Sequence, residues 1–502
     1  MVNGQNKVIP GYVSPLELLH PDGIAKRSIV LGNNCPTLLL PNSCQVPADL
    51  ADFAILAPTE AECRVRGWLE ERVRLMAHKL APDGIVYVLV PRRLRLRIMS
   101  LLCQCGLSVG PSIAHLPDWV LNRYLLPLNP VPVQYAFSTL LPTRSPKRHL
   151  AMMAFRLPGG EKLLARMLPS VGLVARRPSA RPLFNWLFKL GSEVHLPGSA
   201  VISTRWRGQS GTAVLFRFSD GDAQPSTVVK LSLMTTLAVK NTNEAALINQ
   251  LGPTARRAGA RVPQPLSVEQ INGHRVLLQT VVSGQSLAAL LVSKPSRLFD
   301  LIEHVTSWLE RWNHATKVIR SLDIELLNQE VLTPVALLAP LLEQGEEYRD
   351  WLTMRCATAT GIPVPLVATH NDLTMSNLLL DEQGSLGIVD WETCREEALP
   401  LVDLFYAVAD AVAATHGYTD RPKSFRTCFV PGGRFVEAVT RLQIHFRRSL
   451  QISPEVADLC FHACWLRHAA NEYVSDSDRR RFFNIVQILA LHRSSTYSWV
   501  NG

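Results

Sequence analysis

Strand-like and helix-like patterns of apolar residues alternate in the first third of this chain. They follow one another at residues 51–56, 66–80, 85–90, 92–105 and 106–113. The strand-like runs are rich in β-branched residues, and the helix-like runs repeat apolar positions every three or four residues. Strands that alternate with helices predict a doubly wound α/β sheet. We therefore expect a small domain of this class at residues 25–175.

The pattern changes to that of antiparallel strands further along the chain. Apolar strand-like runs occur at residues 201–203, 213–218, 228–231, 266–271 and 275–280. Asp220-Gly221 marks the turn between the second and third runs, and Asn272-Gly273 is a strong hairpin signal between the last two. These features predict a β-rich lobe at residues 194–285.

Most of the remaining chain has helical periodicity. Apolar positions recur at helical spacing in residues 298–312, 331–342, 348–357, 401–415, 435–450, 454–473 and 478–491. Two short apolar runs, 377–380 and 386–389, interrupt the helices around the turn residues 383–385. A mainly helical lobe at residues 286–495 would follow the β-rich lobe, which predicts a bilobal architecture of mixed α/β content.

Four polar residues before and after this hairpin suggest chemistry. The order is His370, Asp372 and Asn377 in one loop, and then Asp390 at the end of the returning strand. A hairpin of this length brings Asp390 back towards Asn377, so the two could bind one Mg²⁺. Kinases use such a set, in which one Asp orients the substrate hydroxyl and the Asn and second Asp hold metal ions. The alternative is a surface hairpin with scattered polar residues.

The loop resembles that of the aminoglycoside phosphotransferase and choline kinase group of small-molecule kinases. The family motif is H-G-D-x-x-x-x-N, and this chain has Asn371 where glycine is usual. The resemblance implies that Asp372 is the catalytic base or hydroxyl-orienting group and that Asn377 and Asp390 bind Mg²⁺. It also assigns a supporting role to Asp403, which matches the family's Asp-Leu at the start of the next helix. His370 would support the loop as well.

The same resemblance implies a nucleotide site in the β-rich lobe. Lys230 stands where the family has its phosphate-binding lysine, and Glu244, which opens a helical run, would be its ion-pair partner. Gly208 and Gly211 lie in a short loop whose amides could cover ATP phosphates. An ordinary hairpin turn is the alternative for this loop.

The adenine would lie near Gln279 and Val281, where the chain resembles the family's hinge before Gly284. These side chains do not identify the base, so GTP remains an alternative to ATP. The resemblance thus implies a bilobal, protein-kinase-like α+β domain and an ATP-dependent, Mg²⁺-dependent phosphotransferase. It would act on a hydroxyl group of a small molecule such as a sugar, an aminoglycoside, an amino alcohol or a related metabolite.

Four carboxylates after the hairpin are candidates for an acidic substrate pocket: Glu392, Glu396, Glu397 and Asp410. The alternative is that each is an ordinary solvated side chain. Two other functions also remain open, a nucleotide-binding pseudokinase with a regulatory role and a membrane-surface adaptor. A protein that only binds would not need Asp372, which favours the enzyme.

The predicted α/β domain is similar to the second half of class I S-adenosylmethionine methyltransferases. The similarity lies in the order strand, helix, Leu-Ala-Pro-Asp-Gly, strand, proline, helix and Cys-Gly-Leu between residues 51 and 107. The glycine loop with which that family binds its nucleoside is absent. We therefore predict a degenerate methyltransferase-like domain that does not bind the cofactor.

Basic charge is concentrated in the amino-terminal part. Residues 1–190 hold 23 Lys and Arg against 11 Asp and Glu, whereas the whole chain has a formal net charge of +10. A basic aromatic segment at residues 176–193 fits a linker whose aromatics pack on the kinase-like lobe. It also fits a weak contact with a membrane surface or an acidic partner. No nucleic-acid-binding motif accompanies these charges, so no nucleic-acid partner is expected.

The distribution of cysteines and apolar residues predicts a cytoplasmic location. The ten cysteines are spread along the chain without the spacing of a zinc site. No apolar run reaches the ~18 residues needed to span a bilayer, and residues 1–19 have no apolar core of signal-peptide length.

Overall fold

The computed structural model describes residues 13–22, 27–31, 50–116, 124–140, 153, 170–191, 198–207, 210–271, 273–475 and 480–492. These residues form two compact units. The first contains the described residues up to 242 together with 265–281, and the second contains 243–264 and the described residues from 282 onward. The predicted limits 25–175, 176–193, 194–285 and 286–495 divide the chain differently. They stay a prediction about which segments fold on their own.

The strands, in chain order, are β1 (Ser28–Leu31), β2 (Ala51–Leu56), β3 (Leu80–Pro91), β4 (Ser108–Leu116), β5 (Tyr124–Pro127), β6 (Ser170–Arg176), β7 (Gly198–Arg207), β8 (Ser210–Ser219), β9 (Thr227–Ser232), β10 (Ala260–Arg261), β11 (Pro265–Ile271), β12 (His274–Thr280), β13 (Gln285–Ser286), β14 (Val318–Ser321), β15 (Pro363–Thr369), β16 (Leu378–Leu380), β17 (Leu386–Ile388) and β18 (Arg395–Ala398).

The α-helices are α1 (Glu60–Arg64), α2 (Trp68–Lys79), α3 (Arg95–Gln104), α4 (Pro130–Tyr135), α5 (Asn185–Lys189), α6 (Ala238–Arg257), α7 (Leu287–Ser293), α8 (Leu298–Thr316), α9 (Ile324–Leu327), α10 (Thr333–Leu338), α11 (Gly345–Ala359), α12 (Val402–Thr415), α13 (Arg421–Phe429), α14 (Val436–Ser449), α15 (Pro454–Ser475) and α16 (Arg481–Leu491).

One continuous sheet forms the framework of the first unit. Its strand order is β1-β2-β3-β6-β4-β5-β7-β8-β9-β12-β11. β1, β2 and β3 run parallel, whereas β7, β8, β9, β12 and β11 form an antiparallel series. The two parts join through β5 and β7, where Tyr124 lies opposite Ser203 and Leu125 opposite Ile202. The predicted α/β segment and β-rich lobe therefore share backbone hydrogen bonds.

The amino-terminal part of this sheet departs from the predicted doubly wound arrangement. The predicted elements are present as β2, α2, β3, α3 and β4. However, β6 runs antiparallel between β3 and β4, so the sheet is mixed. Buried side chains of both α2 and α3 belong to one hydrophobic core. The sequence pattern could not show this, because β6 comes from a segment about eighty residues beyond β3.

The basic aromatic segment, residues 176–193, packs against the sheet in a second hydrophobic core. Phe184, Trp186 and Phe188 are buried in a core that includes residues of both β3 and β8. Trp186 donates its Nε1 hydrogen to the carbonyl oxygen of Leu18 over 2.9 Å. Arg181 binds the carboxylate of Asp83, with Nε 2.9 Å from Oδ2. These contacts support the predicted packing of the aromatics on the β-rich lobe.

The second unit is mainly helical and includes two small sheets. Their strand orders are β10-β17-β16-β13 and β14-β15-β18. All fourteen residues of α12 are buried, which places this helix in the centre of the core. The predicted helices are present with small changes in their ends, but the run 331–342 is divided, with α10 as its α-helical part. α13 lies outside the predicted helical runs. Among the described residues, no helix is both long and apolar enough to cross a bilayer.

Candidate active site

The loop of residues 370–377 begins where β15 ends. Six of the seven residues of β15 are buried. Trp312 of α8 donates its Nε1 hydrogen to the carbonyl oxygen of Ala368 over 2.8 Å. Its ring also packs edge-on against Trp391, with 6.0 Å between the ring centroids. Large aromatic side chains therefore anchor the start of the loop in the core of the second unit.

Asp403, near the start of α12, holds the first two residues of the loop. Its Oδ2 accepts a hydrogen bond from the His370 amide over 2.6 Å, and its Oδ1 accepts one from the Asn371 amide over 2.8 Å. Burial raises the pKa of Asp403 to about 6, although these hydrogen bonds and Arg467 act to lower it. This geometry fits the supporting role that the sequence predicts for Asp403.

The backbone at Asn371 explains why this residue can replace glycine. Its φ is +62°, in the left-handed region that most side chains avoid. Asn is one of the few residues other than glycine that adopt this conformation readily. The Asn371 side chain also donates to the carbonyl oxygen of Thr393 over 3.0 Å and accepts from Arg467. The departure from the family motif therefore leaves the turn intact and adds side-chain contacts.

Asp372 and Asn377 contact each other across the loop. The Asn377 Nδ2 donates to both the carbonyl oxygen and the carboxylate Oδ2 of Asp372, each over 3.0 Å. Asn377 is buried and Asp372 is half-buried. Because its nitrogen is used by Asp372, the amide oxygen of Asn377 is the atom that can serve as a metal ligand.

The following hairpin brings Asp390 to the same loop. β16 and β17 pair with Leu378 opposite Ile388, and the Val389 amide donates to the carbonyl oxygen of Asn377 over 3.0 Å. Asp390 is therefore one residue past the position opposite Asn377. Its φ of +71° puts a sharp bend in the chain at this point. The Nε2 of His370 lies 3.1 Å from the Val389 carbonyl oxygen and ties the hairpin to the loop.

The donor atoms near the loop fit Mg²⁺ better than a softer metal. A carboxylate from Asp390 and an amide oxygen from Asn377 are hard oxygen ligands, and phosphate oxygens and water usually complete such a site. Among the described residues, no group of three or more His, Cys, Asp and Glu side chains is arranged to hold a metal ion by itself. A site completed by a nucleotide does not require such a group.

Glu244 of α6 contacts the backbone just after the hairpin. Its side chain is fully buried, and its Oε1 accepts a hydrogen bond from the Trp391 amide over 3.2 Å. Trp391 directly follows Asp390, so Glu244 helps to hold the backbone beside the predicted metal ligand. The sequence predicted a lysine partner for Glu244 and did not anticipate this contact.

In the first unit, Lys230 lies on β9, an interior strand of the sheet. It pairs with Val214 of β8 and Leu277 of β12, and its side chain is buried. The Nδ2 of Asn241 donates to the Lys230 carbonyl oxygen over 3.2 Å. The lysine is thus fixed on rigid backbone, as a phosphate-binding residue should be.

The predicted glycine loop is only partly described. Gly211 is in β8, where its carbonyl oxygen accepts a hydrogen bond from the Leu233 amide over 2.9 Å. Gly208 lies outside the described residues. The phosphate-covering role of this loop stays a prediction.

Gln279 and Val281 lie at the end of β12, where the adenine is predicted. Gln279 pairs with Val228 of β9 and is buried. Within the described residues its Oε1 has no hydrogen-bond partner, which is unusual for a buried polar atom. Val281 follows the strand and is half-buried.

The four candidate pocket carboxylates have different environments. Asp410 is fully buried and accepts a hydrogen bond from the Met375 amide over 2.7 Å, so it belongs to the support of the loop. Glu397 forms an ion pair with Arg320 over 2.6 Å. Glu396 is exposed and Glu392 is half-buried.

Sequence reasoning missed Arg467 and Glu330. Arg467 donates to the side chain of Asn371, and its guanidinium lies 3.6 Å from the carboxylate of buried Glu330. Burial lowers the pKa of Arg467, although nearby carboxylates oppose this effect. The available signal was an arginine directly after the apolar run Cys464-Trp465-Leu466.

Comparison with protein families assigns this region. Residues 202–429 match the model described as the phosphotransferase enzyme family, APH. The matched range includes Lys230 and Glu244, the loop, the hairpin and the start of α12. The candidate site therefore lies within the range that matches this family of phosphotransferases, which act on hydroxyl groups of small molecules. No match is found among curated proteins.

Several solved structures are similar to this chain at low sequence identity. The GDP and kanamycin complex of APH(2")-IIia is 15% identical, covers 61% of this chain and 96% of its own, and has a TM-score of 0.37. Macrolide 2'-phosphotransferase MphH from Brachybacterium faecium is 14% identical, covers 63% of this chain and 97% of its own, and has a TM-score of 0.36. Choline kinase LicA from Streptococcus pneumoniae is 15% identical, covers 58% of this chain and 90% of its own, and has a TM-score of 0.31.

Proposed function

We propose that this protein transfers the γ-phosphoryl group of ATP to a hydroxyl group of a small molecule. The contact between Asp372 and Asn377, with Asp390 returned to the same loop by the hairpin, is the observation that carries the proposal. It unites a proton acceptor and two hard oxygen ligands. Sugars, aminoglycosides, amino alcohols and related metabolites are the proposed substrates.

Asp372 would accept or orient the proton of the attacking hydroxyl. Its hydrogen bond from Asn377 would hold the carboxylate in a fixed direction. Asn377 and Asp390 would hold Mg²⁺, which when bound neutralises charge on the phosphates. Because phosphoryl transfer requires little covalent chemistry from the protein, accurate positioning of these groups accounts for most of the catalysis.

Lys230 would bind nucleotide phosphates, with Glu244 as its predicted partner. Support comes from the rigid, buried strand position of Lys230. The adenine would lie near Gln279 and Val281, and the buried Gln279 Oε1 is available to accept a hydrogen bond from a base. GTP remains the alternative nucleotide.

The amino-terminal segment, residues 25–175, is proposed to be a degenerate methyltransferase-like domain. The parallel strands β1, β2 and β3, with α2 between the last two, support this proposal. It would serve to extend the sheet of the β-rich lobe and would not bind a methyl donor.

The first experiment measures Mg²⁺-dependent ATP turnover by the full-length protein with a panel of sugars, amino alcohols and aminoglycosides. We expect one class of compound to stimulate turnover in the wild type. Asp372→Ala should lower kcat by about 10²–10⁴-fold, as for loss of a general base. Asp390→Ala should abolish the Mg²⁺ dependence. Asp300→Ala, which removes an exposed carboxylate of α8, should leave turnover unchanged.

Two outcomes would contradict the proposal. Nucleotide binding with no turnover on any compound, together with normal folding, would favour a regulatory pseudokinase. Equal stimulated activity in the wild type and Asp372→Ala would exclude Asp372 as the catalytic residue.

A further inference from the structure

The helix α12 carries a second carboxylate that faces the catalytic loop. Asp403 and Asp410 are seven residues apart, which is close to two helical turns, so they lie on the same side of the helix. Asp403 binds the amides of His370 and Asn371 at the start of the loop. Asp410 binds the amide of Met375 through Oδ2 over 2.7 Å. One rigid helix therefore holds the loop at two points.

We propose that Asp410 is a positioning residue for phosphoryl transfer, which sets the curvature of the loop between Asp372 and Asn377 through the Met375 amide. This inference rests on the proposed function. Asp410 does not touch the reacting atoms, and it acts only through the backbone that carries them.

The peptide at Met375 is held from both sides. Asp410 accepts from its amide, while its carbonyl oxygen accepts from the Ala288 amide at the start of α7 over 2.8 Å. The Met375 side chain is buried in the core. Met375 lies three residues after Asp372 and two before Asn377, so a shift of this peptide would alter the distance between those two side chains.

The surroundings of Asp410 hold its carboxylate in a fixed orientation. The side chain is fully buried, and its Oδ1 lies 2.8 Å from a guanidinium nitrogen of Arg421. The Tyr418 hydroxyl donates to Oδ2 over 3.0 Å. Burial and the charge of Asp410 raise the pKa of Tyr418 above its ordinary value, so the hydroxyl remains a donor. A buried carboxylate needs such partners, because an unpaired one would be strongly destabilising.

Local hydrogen bonds already constrain the conformation of the loop, whereas Asp410 attaches the loop to α12. The Thr374 amide donates to the Asp372 carbonyl oxygen over 2.7 Å, and the Asn377 amide donates to that of Thr374 over 3.0 Å. These bonds fix turns inside the loop. The bonds from Asp403 and Asp410 connect the loop to α12.

Residue-resolved hydrogen exchange of the full-length protein without nucleotide tests the contact itself. In Asp410→Ala we expect the Met375 amide to exchange about tenfold faster or more, the effect of losing a charge-assisted hydrogen bond. The amides held by Asp403 should keep their protection. Asp410→Asn retains an acceptor oxygen and should preserve most of the protection at Met375. Asp300→Ala, which removes an exposed carboxylate of α8, is the control.

Steady-state kinetics with the stimulating compound tests the positioning role. Asp410→Ala should lower kcat by about 10- to 100-fold, as expected for a small misplacement of catalytic groups, with KM for ATP changed less than about twofold. Asp410→Asn should recover most of this loss. A purely structural role would reduce activity only in proportion to the unfolded fraction.

Three results would overturn the proposal. The first is unchanged exchange at Met375 in Asp410→Ala, and the second is equal deprotection of the whole unit in both Asp410 variants. The third is a kcat that does not differ between Asp410→Ala and the wild type. If the wild type transfers no phosphoryl group, the proposed function fails, whereas hydrogen exchange still decides whether Asp410 holds the loop.

Discussion

Asp403 is a buried carboxyl group whose two oxygens accept hydrogen bonds from two amides of the loop of residues 370–377. Its pKa of about 6 lies above the ordinary 3.8, with burial as the main cause. Folding therefore favours the protonated carboxyl. That contribution to stability is present below pH 3.8 and is lost as the pH rises through 6. The charged form is nevertheless the one whose two oxygens can both accept hydrogen bonds from His370 and Asn371.

We expect kcat to fall as the pH decreases through about 6, because protonated Asp403 becomes a donor towards one of the two loop amides. The measurement is kcat against pH from about 5 to 8 for the wild type and Asp403→Asn. The variant resembles the protonated form, so its kcat should be low and should not decrease further as the pH falls through 6. If the kcat of Asp403→Asn fell over the same pH range as that of the wild type, the titration would belong to another group.

Asn371 shows what a single residue can reveal from sequence. It stands where the family motif has glycine, and its φ of +62° lies in the left-handed region that glycine adopts readily. Its contacts with Thr393 and Arg467 could not be predicted, because these partners are 22 and 96 residues away in the sequence.

The hairpin of β16 and β17 joins the loop to Asp390, and β13 pairs with its outer edge. Gln285 lies opposite Leu380 in this pairing. Gly284 precedes β13 with a φ of +127°, and a Cβ atom there would lie 2.8 Å from the Leu380 carbonyl oxygen. The backbones of Gly284 and Leu380 thus approach more closely than any side chain at residue 284 would allow.

We predict that Gly284→Ala destabilises the second unit by more than about 2 kcal/mol, because the clash adds to the strain of a positive φ. Gly384→Ala is the matched control, since its φ is +78° but no atom lies within 4 Å of the added Cβ. The control should lose only about 1–2 kcal/mol. Denaturant unfolding of both variants checks this. Equal losses would show that the close approach to Leu380 is unimportant.

On the scale of the whole molecule, a single sheet unites segments that the sequence divided into two domains. β5 and β7 pair at the junction, and the basic aromatic segment packs on the same sheet. Trp186 is only 5% exposed, so its ring is a core side chain. The membrane-surface hypothesis needed this ring to be accessible.

We predict that Trp186→Ala destabilises the first unit by about 3–5 kcal/mol, the usual cost of removing a buried aromatic side chain. Leu96→Ala is the control, because Leu96 of α3 is 79% exposed and its loss should change the free energy of unfolding by less than about 0.5 kcal/mol. Thermal or denaturant unfolding provides the measurement. A small effect in Trp186→Ala would contradict the packing and restore the membrane hypothesis.

The sequence alone determined the features that depend on neighbours close in the chain. The loop, the hairpin and most helices follow from turn residues and apolar periodicity, which act over a few residues. The spacing of Asp372, Asn377 and Asp390 is of this kind.

Only the tertiary structure decided which distant segments pair. An apolar strand pattern shows that a strand is buried, but many partners would bury it equally well, so neither β6 between β3 and β4 nor the pairing of β5 with β7 could be inferred. The same holds for Asp410. Its sequence position made it a candidate for an acidic substrate pocket, whereas burial beside Arg421 and the Met375 amide determined what that carboxylate contacts.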